Sequence, residues 1–189
     1  MSVLADLQAT ALGCTRCRLA NGRTQVVFGE GDPHAALLVV GEGPGAQEDR
    51  QGRPFVGRSG QLLDRLLAEE AGLERREVYI ANVVKCRPPD NRNPRPDEIA
   101  TCRPYLDTQI DLIGPRVVLT LGNFSTKLLL ETTDGIGGLR GKVYPFGDRG
   151  AVLVPTFHPA AALRGGAGVL AQMRADFVRA KRAMVGGPT

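Results

Sequence analysis

The sequence predicts an α/β fold, a three-layer αβα arrangement around a central, mainly parallel four-stranded sheet. Two observations lead to this prediction. Short apolar runs typical of buried strands alternate with segments in which apolar residues recur every three or four positions, as on one face of a helix. Polar or glycine-rich motifs follow directly after the apolar runs. Because ligands of parallel α/β sheets bind beyond the carboxyl ends of the strands, we expect a binding site along one edge of the sheet.

Each predicted element has its own local pattern. The four strands are apolar runs at 36–40, 78–84, 117–121 and 152–155. Helical spacing predicts five helices at 4–12, 60–71, 97–113, 123–130 and 168–184. Ser59 is the expected N-cap of the second helix, and Gly114 ends the third. Residues 23–33 are expected to be an extended stretch and a turn. Residues 135–146 are expected to be a glycine-rich loop with a short strand.

The length of 189 residues suits a single domain, which we place at residues 1–184, with 185–189 as a flexible tail. The amino-terminal residues lack the basic and apolar regions of a signal peptide, and no apolar run approaches the length of a membrane span. We therefore expect a cytoplasmic protein without a membrane partner. We also expect a monomer.

The formal net charge of +4 permits a polyanionic partner such as nucleic acid, but it is also common on ordinary soluble surfaces. Lysine and arginine residues are concentrated in two segments, 85–103 and 164–182. Each segment could contact phosphate groups or could simply be a solvated face.

A glycine-rich segment, Gly41-Glu42-Gly43-Pro44-Gly45, follows the first predicted strand. Glycines leave no Cβ in the way, so a ligand can approach the backbone closely here. Glu42, Glu48 and Asp49 put three carboxylates beside that backbone, and the apolar Phe55 follows. This combination favours a neutral ring with polar edges over a phosphate, although such turns more often serve only chain geometry.

The chain contains four cysteines, whose spacing predicts a metal site. Cys14 and Cys17 form a C-x2-C pair, and Cys86 and Cys102 form a C-x15-C pair. Disulfides are not expected in a reducing compartment, and four separate buried thiols would not explain the pairing. Four thiolates suit either tetrahedral zinc or a [4Fe-4S] cluster. The wide second pair favours iron-sulfur, but the spacing alone leaves both open.

Several motifs occur together along the chain: the four cysteines, the glycine-rich segment with Glu48-Asp49, and the segments 52–57, 82–89 and 158–160. In this combination the chain resembles the iron-sulfur uracil-DNA glycosylases, family 4 of that superfamily, over residues 4–184. The resemblance implies the uracil-DNA glycosylase fold and a partner, uracil-containing DNA. It also implies hydrolysis of the bond between uracil and deoxyribose to leave an abasic site, and a [4Fe-4S] cluster bound by Cys14, Cys17, Cys86 and Cys102.

The resemblance implies a set of substrate-binding residues: Gly41, Glu42, Gly43, Glu48, Phe55, Asn82 and His158. Phe55 would stack on the base, although a core position is the plainer interpretation of a lone phenylalanine. The Asn82 amide would pair with O4 and N3–H of uracil and reject cytosine, whose donor and acceptor are reversed. The Gly43 backbone would contact the base, and Glu48 would close the site against the methyl group of thymine.

Two residues are implied to be catalytic, Glu42 and His158. His158 would lie near uracil O2, where negative charge accumulates as the base departs, so a hydrogen bond there stabilises the transition state more than the ground state. Glu42 would orient or activate the attacking water, or stabilise the cationic sugar. The other histidine of the chain, His34, lies in a turn and is interpreted as a surface residue.

Three arginines, Arg87, Arg92 and Arg164, are expected to contact DNA phosphates, and Leu163 is expected to wedge into the space left by the base. Hydrolysis moves no electrons, so the cluster is interpreted as structural. A subgroup of the superfamily bonds covalently to the abasic sugar through a histidine in the loop after the Asn82 strand, but loop 87–96 contains no histidine. We therefore expect a monofunctional glycosylase.

Two hypotheses from other classes remain. The first is a non-catalytic iron-sulfur or zinc nucleic-acid-binding module of the same fold, which requires that Glu42, Asn82 and His158 do not converge. The second is a redox carrier, which is disfavoured because nothing in the sequence indicates an electron partner.

Overall fold

The computed structural model describes residues 2–186, in which a six-stranded sheet has helices on both faces. The strands are β1 (Glu30–Gly31), β2 (Leu37–Gly41), β3 (Tyr79–Asn82), β4 (Val117–Leu121), β5 (Tyr144–Phe146) and β6 (Ala151–Thr156). The helices are α1 (Val3–Leu12), α2 (Ala46–Gln51), α3 (Arg58–Leu66), α4 (Pro96–Ile113), α5 (Asn123–Leu130), α6 (Ile136–Leu139) and α7 (Pro159–Gly186). Among the described helices, none combines the length and the apolarity that a bilayer crossing requires.

The sheet has the strand order β1-β3-β2-β4-β6-β5. The four central strands are mutually parallel, and they are the four strands that the sequence predicts. Both outer strands are antiparallel to their neighbours, which corrects the predicted strand number from four to six. The short strand expected within 135–146 corresponds to β5, whereas the two-residue, partly exposed β1 produces no apolar run that sequence patterning could detect.

Alternate residues of the buried strand β2 face two separate hydrophobic clusters. Leu38 and Val40 pack in the cluster that includes residues of α1, α4 and α5. Leu37 and Val39 pack in the cluster that includes residues of α3 and α7. Because side chains alternate across a strand, one short apolar run supplies both interfaces, and the expected three-layer αβα architecture is confirmed.

Several local predictions were wrong. Helix α2, which follows the glycine-rich segment, is not predicted from the sequence, because its residues are almost all polar and show no apolar spacing. Helix α3 begins at Arg58 with Gly57 as its N-cap, so Ser59 is inside the helix. The predicted helix 168–184 is the second part of α7, which begins at Pro159 and has a non-helical break at Gly166, with φ 72°. Residues 185 and 186 belong to α7 rather than to a tail, and 187–189 lie outside the described residues.

Candidate active site

An open cavity of about 870 Å³ lies at the carboxyl edge of the sheet. It is bounded by the segments that follow β2, β3 and β6, together with α2 and the start of α3. Several sequence-predicted residues line it: Glu42, Gly43, Glu48, Phe55, Asn82, His158 and Arg164. Parallel strands therefore bring residues from distant parts of the chain to one place, as their carboxyl ends predict.

Gly41 lies beneath the cavity, where β2 ends directly opposite Asn82 of β3. A Cβ atom at position 41 would lie 2.4 Å from Oδ1 of Asn82 and 2.5 Å from Cζ of Phe55. Both distances are shorter than side chains tolerate. Gly41 thus contributes by having no side chain, since this absence allows Asn82 and Phe55 to meet at the base of the cavity.

Asn82 is the last residue of β3, and only 1% of its surface is exposed. Its Oδ1 atom is buried and accepts no hydrogen bond from any residue that the structure describes. Leaving a buried acceptor unpaired costs about 1–3 kcal/mol, so such atoms are rare unless a ligand completes them. The Asn82 amide is therefore prepared to accept a hydrogen bond from a ligand in the cavity.

Phe55 lies beside Asn82 with only 6% of its surface exposed. Its backbone has φ 50°, a left-handed conformation that non-glycine residues rarely adopt. The turn also packs closely on α3, because a Cβ at Gly60 would lie 1.8 Å from the Phe55 carbonyl oxygen. The Phe55 ring centroid is 5.8 Å from that of His158, with the rings tilted by 34°.

Glu48 lines the cavity from α2, and its carboxylate holds the turn that carries Phe55. One carboxylate oxygen accepts hydrogen bonds from the backbone amides of Val56 and Gly57, at 2.9 and 3.1 Å. Asp49, the third carboxylate expected beside the glycine-rich segment, is not among the residues that line the cavity. It is buried, and its Oδ1 accepts a hydrogen bond of 2.8 Å from the backbone amide of Thr24.

Glu42 follows β2 directly and lines the cavity from a partly buried position. Burial raises the pKa of its carboxyl group above the usual range, because desolvation disfavours the charged form. A carboxylate with a raised pKa is a stronger base than one in water. Glu42 is therefore suited to accept a proton or to orient a water molecule in the cavity.

His158 follows β6 and faces the same cavity. Burial, with a smaller contribution from the nearby Arg164 guanidinium, lowers the pKa of its imidazole to about 4. The ring is consequently neutral at physiological pH. Its Nδ1 accepts a hydrogen bond of 3.1 Å from the Ala160 backbone amide, so the single ring proton is on Nε2. His158 can therefore donate a hydrogen bond from Nε2 without carrying a charge.

All four cysteines line one small cavity on the other side of β3, between α1 and α4. The Lys85 backbone amide donates to Sγ of Cys102 and the Arg23 guanidinium to Sγ of Cys86, both at 3.3 Å. Burial raises the pKa of Cys86 to about 11 and also raises that of Cys102. In the described part of the chain, no three histidine, cysteine or carboxylate side chains have the geometry of a single-ion site. The four cysteines thus share one cavity without forming a site for a single metal ion in the described residues.

Comparison with known proteins agrees with this geometry. A family model, described as the uracil DNA glycosylase superfamily, matches residues 28–182. A type-4 uracil-DNA glycosylase of Sulfurisphaera tokodaii is 47% identical over 169 residues, covering 86% of this chain and 77% of the relative. The chain belongs to the type-4 family of uracil-DNA glycosylases. Type-4 enzymes of Saccharolobus solfataricus and Thermotoga maritima are 43% and 47% identical, over 93% and 80% of this chain and 83% and 78% of their own lengths.

Membership of the type-4 family confirms three expectations from the sequence: the family, the fold class and the enzyme class, a glycosylase of DNA. The convergence of Glu42, Asn82 and His158 in one cavity removes the condition on which the non-catalytic alternative depended. The roles of individual residues stay predictions, and so does the identity of the group that the cysteines bind.

The four residues that the sequence analysis expects to contact DNA have different surroundings in the structure. Arg164 is exposed at the rim of the cavity, and Leu163 beside it is 43% exposed. The Arg87 guanidinium donates to Oδ1 of Asn91 at 2.8 Å. Arg92 is held within the protein by a bidentate ion pair with the fully buried Glu98, at 2.6 and 2.8 Å. Its side chain therefore anchors loop 87–96, and a phosphate contact by Arg92 stays a prediction.

Sequence reasoning missed several residues that line the cavity, among them Arg58, Asn91 and Asn93. Arg58 is the first residue of α3, whose start the sequence predicts two residues later. Asn91 and Asn93 belong to loop 87–96, in which the sequence analysis selects only the arginines, and Asn91 has φ 52°. The signal that could have identified them is their position directly after the β3 motif, at the same sheet edge.

Proposed function

We propose that this chain removes uracil from DNA by extruding the uracil nucleotide into the 870 Å³ cavity and hydrolysing its N-glycosidic bond. One observation carries the proposal. The buried, unpaired Oδ1 atom of Asn82 shares this cavity with the Phe55 ring and a neutral His158. These three groups match the polar edge, the flat face and the developing charge of a departing uracil.

Asn82 supplies the base recognition in this proposal. Its unpaired Oδ1 accepts the N3–H of uracil, and its amide NH₂ donates to O4. Cytosine presents an acceptor at N3 and an amino group in place of O4, so both hydrogen bonds would be lost. The unpaired acceptor would then stay buried, which is the strongest form of rejection that a pocket offers.

Phe55 supplies the stacking surface. Stacking of one base on an aromatic side chain contributes about 1–3 kcal/mol, which is similar to the cost of unstacking a base from the duplex. The burial of Phe55 and its contact with His158 support a fixed ring rather than a mobile one.

Hydrolysis breaks the bond between N1 of uracil and C1′ of the sugar, and the electron pair leaves with the base. His158 donates its Nε2 proton as a hydrogen bond to O2, where the resulting negative charge is delocalised; removal of one such donor typically costs about 3–4 kcal/mol of barrier. Water adds to C1′, and Glu42 orients it and accepts its proton. The base leaves as an anion that takes up a proton from solvent, Glu42 releases its proton to solvent, and the products are free uracil and an abasic site.

The cysteine cavity fits a [4Fe-4S] cluster as its group. The donor set is four cysteines, and the cluster charge would be offset by donors from Arg23 and Lys85 at the sulfur atoms. Cys14, Cys17, Cys86 and Cys102 would hold it. Such a cluster ties separate chain segments together, and we propose that it is structural. Iron, sulfide and zinc analysis of purified protein tests this, because zinc without sulfide contradicts it.

Two further expectations stay part of the proposal. The partner is uracil-containing DNA, bound by one copy of the chain, and the protein is cytoplasmic. Light scattering with size-exclusion chromatography tests the first, since a stable dimer contradicts a monomer. Fractionation of source cells with a membrane and a cytoplasmic marker tests the second.

The activity is tested on a labelled oligonucleotide that contains one uracil. The oligonucleotide is incubated with the protein and then treated with alkali, which breaks the strand at an abasic site, and the fraction of cleaved strand is measured. We expect cleavage by the wild-type protein and strong loss in Asn82→Ala and His158→Ala. His34→Ala is the matched control, because His34 is exposed and outside the cavity, and it should retain wild-type cleavage. Wild-type protein that binds the oligonucleotide but leaves uracil in place would instead support the non-catalytic binding module.

A further inference from the structure

We propose that Arg75 is a positioning residue that fixes the Phe55 stacking surface from outside the cavity. The inference rests on the proposed role of Phe55 in binding uracil. Arg75 begins a short 3-10 turn, Arg75–Glu77, immediately before β3, and no sequence motif of the active site includes it.

Phe55 needs external support because its backbone is strained. At φ 50° the Cβ atom is crowded by the backbone, and such conformations persist only where the surroundings impose them. Glu48 holds one side of the turn through the amides of Val56 and Gly57. The carbonyl groups of the turn point in another direction and need their own partner.

Arg75 is that partner. Its guanidinium donates a hydrogen bond of 3.1 Å to the Phe55 carbonyl oxygen and a second to the Pro54 carbonyl oxygen. A single planar group therefore binds two successive carbonyls on either side of the strained φ angle. Rotation of Phe55 into an ordinary conformation would reorient these carbonyls and break the pair of bonds.

The Arg75 guanidinium is itself fixed in place. It donates to Oε1 of Glu30 in β1 at 2.7 Å and to Oδ1 of Asp64 in α3 at 2.8 Å. Its side chain is only 19% exposed. Two carboxylates and two carbonyls surround one guanidinium, an arrangement that requires the planar fork of arginine and that a lysine ammonium cannot reproduce.

The chain offers a matched control in Arg53. Arg53 binds the same Glu30 carboxylate at 2.7 and 3.0 Å, but its hydrogen bonds in the described structure go to Glu30 and not to the turn. Loss of Arg53 removes a charge from the same network without removing a contact to the Phe55 carbonyl.

A double-mutant cycle on the affinity for free uracil tests the inference, with Arg75→Met, Arg53→Met, Phe55→Ala and the Arg75→Met/Phe55→Ala double variant. Affinity is measured by calorimetric titration, after circular dichroism has verified folding. We expect Phe55→Ala to weaken uracil binding about tenfold, and Arg75→Met to weaken it by a similar or smaller factor. Arg53→Met should stay close to wild type. In the Phe55→Ala background, Arg75→Met should cause no further loss.

Other outcomes overturn the inference in distinguishable ways. If wild-type protein binds no uracil, the proposed function fails and the stacking surface fails with it. If wild type binds uracil but Arg75→Met equals Arg53→Met, or if the Arg75 and Phe55 effects multiply, only the positioning role fails. Should Arg75→Met not fold, Arg75→Lys replaces it. Lysine keeps the charge beside Glu30 and Asp64 but cannot bind both carbonyls, so the same loss of affinity is expected.

Discussion

Substitution of Gly41 by alanine tests the geometry of the active site most directly. The added Cβ would lie 2.4 Å from Oδ1 of Asn82 and 2.5 Å from Cζ of Phe55, with the next ring carbon at 2.7 Å. An ordinary contact begins near 3.4 Å, so the Asn82 amide must retreat by roughly 0.6 to 1.0 Å. A displacement of about 1 Å at a reacting centre lowers rates by about 100-fold.

Gly41→Ala should therefore reduce single-turnover uracil excision by about 100-fold and weaken binding of free uracil. Overpacking of a buried site also costs about 1–3 kcal/mol of unfolding free energy, so urea denaturation should show a lowered midpoint. The rate is measured at a temperature well below the unfolding transition, which separates the loss of geometry from the loss of folded protein.

Gly22→Ala is the matched control, since a Cβ at position 22 would meet no atom within 4 Å and the backbone there has φ −114°. It should excise uracil at the wild-type rate. A Gly41→Ala protein with wild-type rate and wild-type uracil affinity would refute the reasoning, because Asn82 and Phe55 could then not meet across Gly41 as described.

Four further predictions follow from charge and burial. Burial lowers the pKa of His158 to about 4, so the unfolded chain binds more protons between about pH 6.5 and 4. As the pH is lowered from about 6.5 to 4, the free energy of unfolding should fall by up to about 3 kcal/mol. In His158→Gln this dependence of the unfolding free energy on pH, measured by urea denaturation, should be lost. Burial raises the pKa of Glu42, so excision should fall on acidification at a higher pH than an exposed glutamate would give. Glu42→Gln should be slower and lack this acid limb in single-turnover pH profiles. Arg92→Met removes the bidentate ion pair of the buried Glu98, which keeps only the Arg95 amide and the more distant Arg18, so urea denaturation should show a lowered unfolding free energy. Arg164→Ala should leave stability unchanged but reduce the slope of log affinity for DNA against log salt by about 1.

The sequence predicted the parts of the site that depend on strand ends. The apolar runs of β2, β3 and β6 are unambiguous, and parallel pairing brings the residues that follow them to one edge. Glu42, Asn82 and His158 can therefore be grouped from the sequence alone. The four cysteines were grouped by spacing, and the structure has them around one cavity.

Residues whose role depends on a distant partner were not predictable in this way. Arg92 belongs to a loop beside the site, and nothing in the sequence indicates that its guanidinium pairs with the buried Glu98. Arg75 reaches a turn 20 residues earlier in the chain. The positive φ of Phe55 leaves no trace in a sequence of ordinary residues, because strain is imposed by tertiary contacts and not by local propensity.

The active site and the cysteine cavity share one short segment of chain after β3. Asn82 belongs to the first and Cys86 to the second. Between them, the fully buried Lys85 donates from its ammonium group to the Asn82 carbonyl oxygen at 2.9 Å, and from its backbone amide to Sγ of Cys102 at 3.3 Å. Its ammonium group also binds Gln109 of α4. Lys85 therefore connects the cysteine cavity to the backbone that orients Asn82. A change in the position of Lys85 would alter the orientation of Asn82 and with it the proposed recognition of the base. The Val84 amide of the same segment donates to the Glu42 carbonyl oxygen at 3.1 Å, so this segment also helps to position the residue proposed to orient the attacking water.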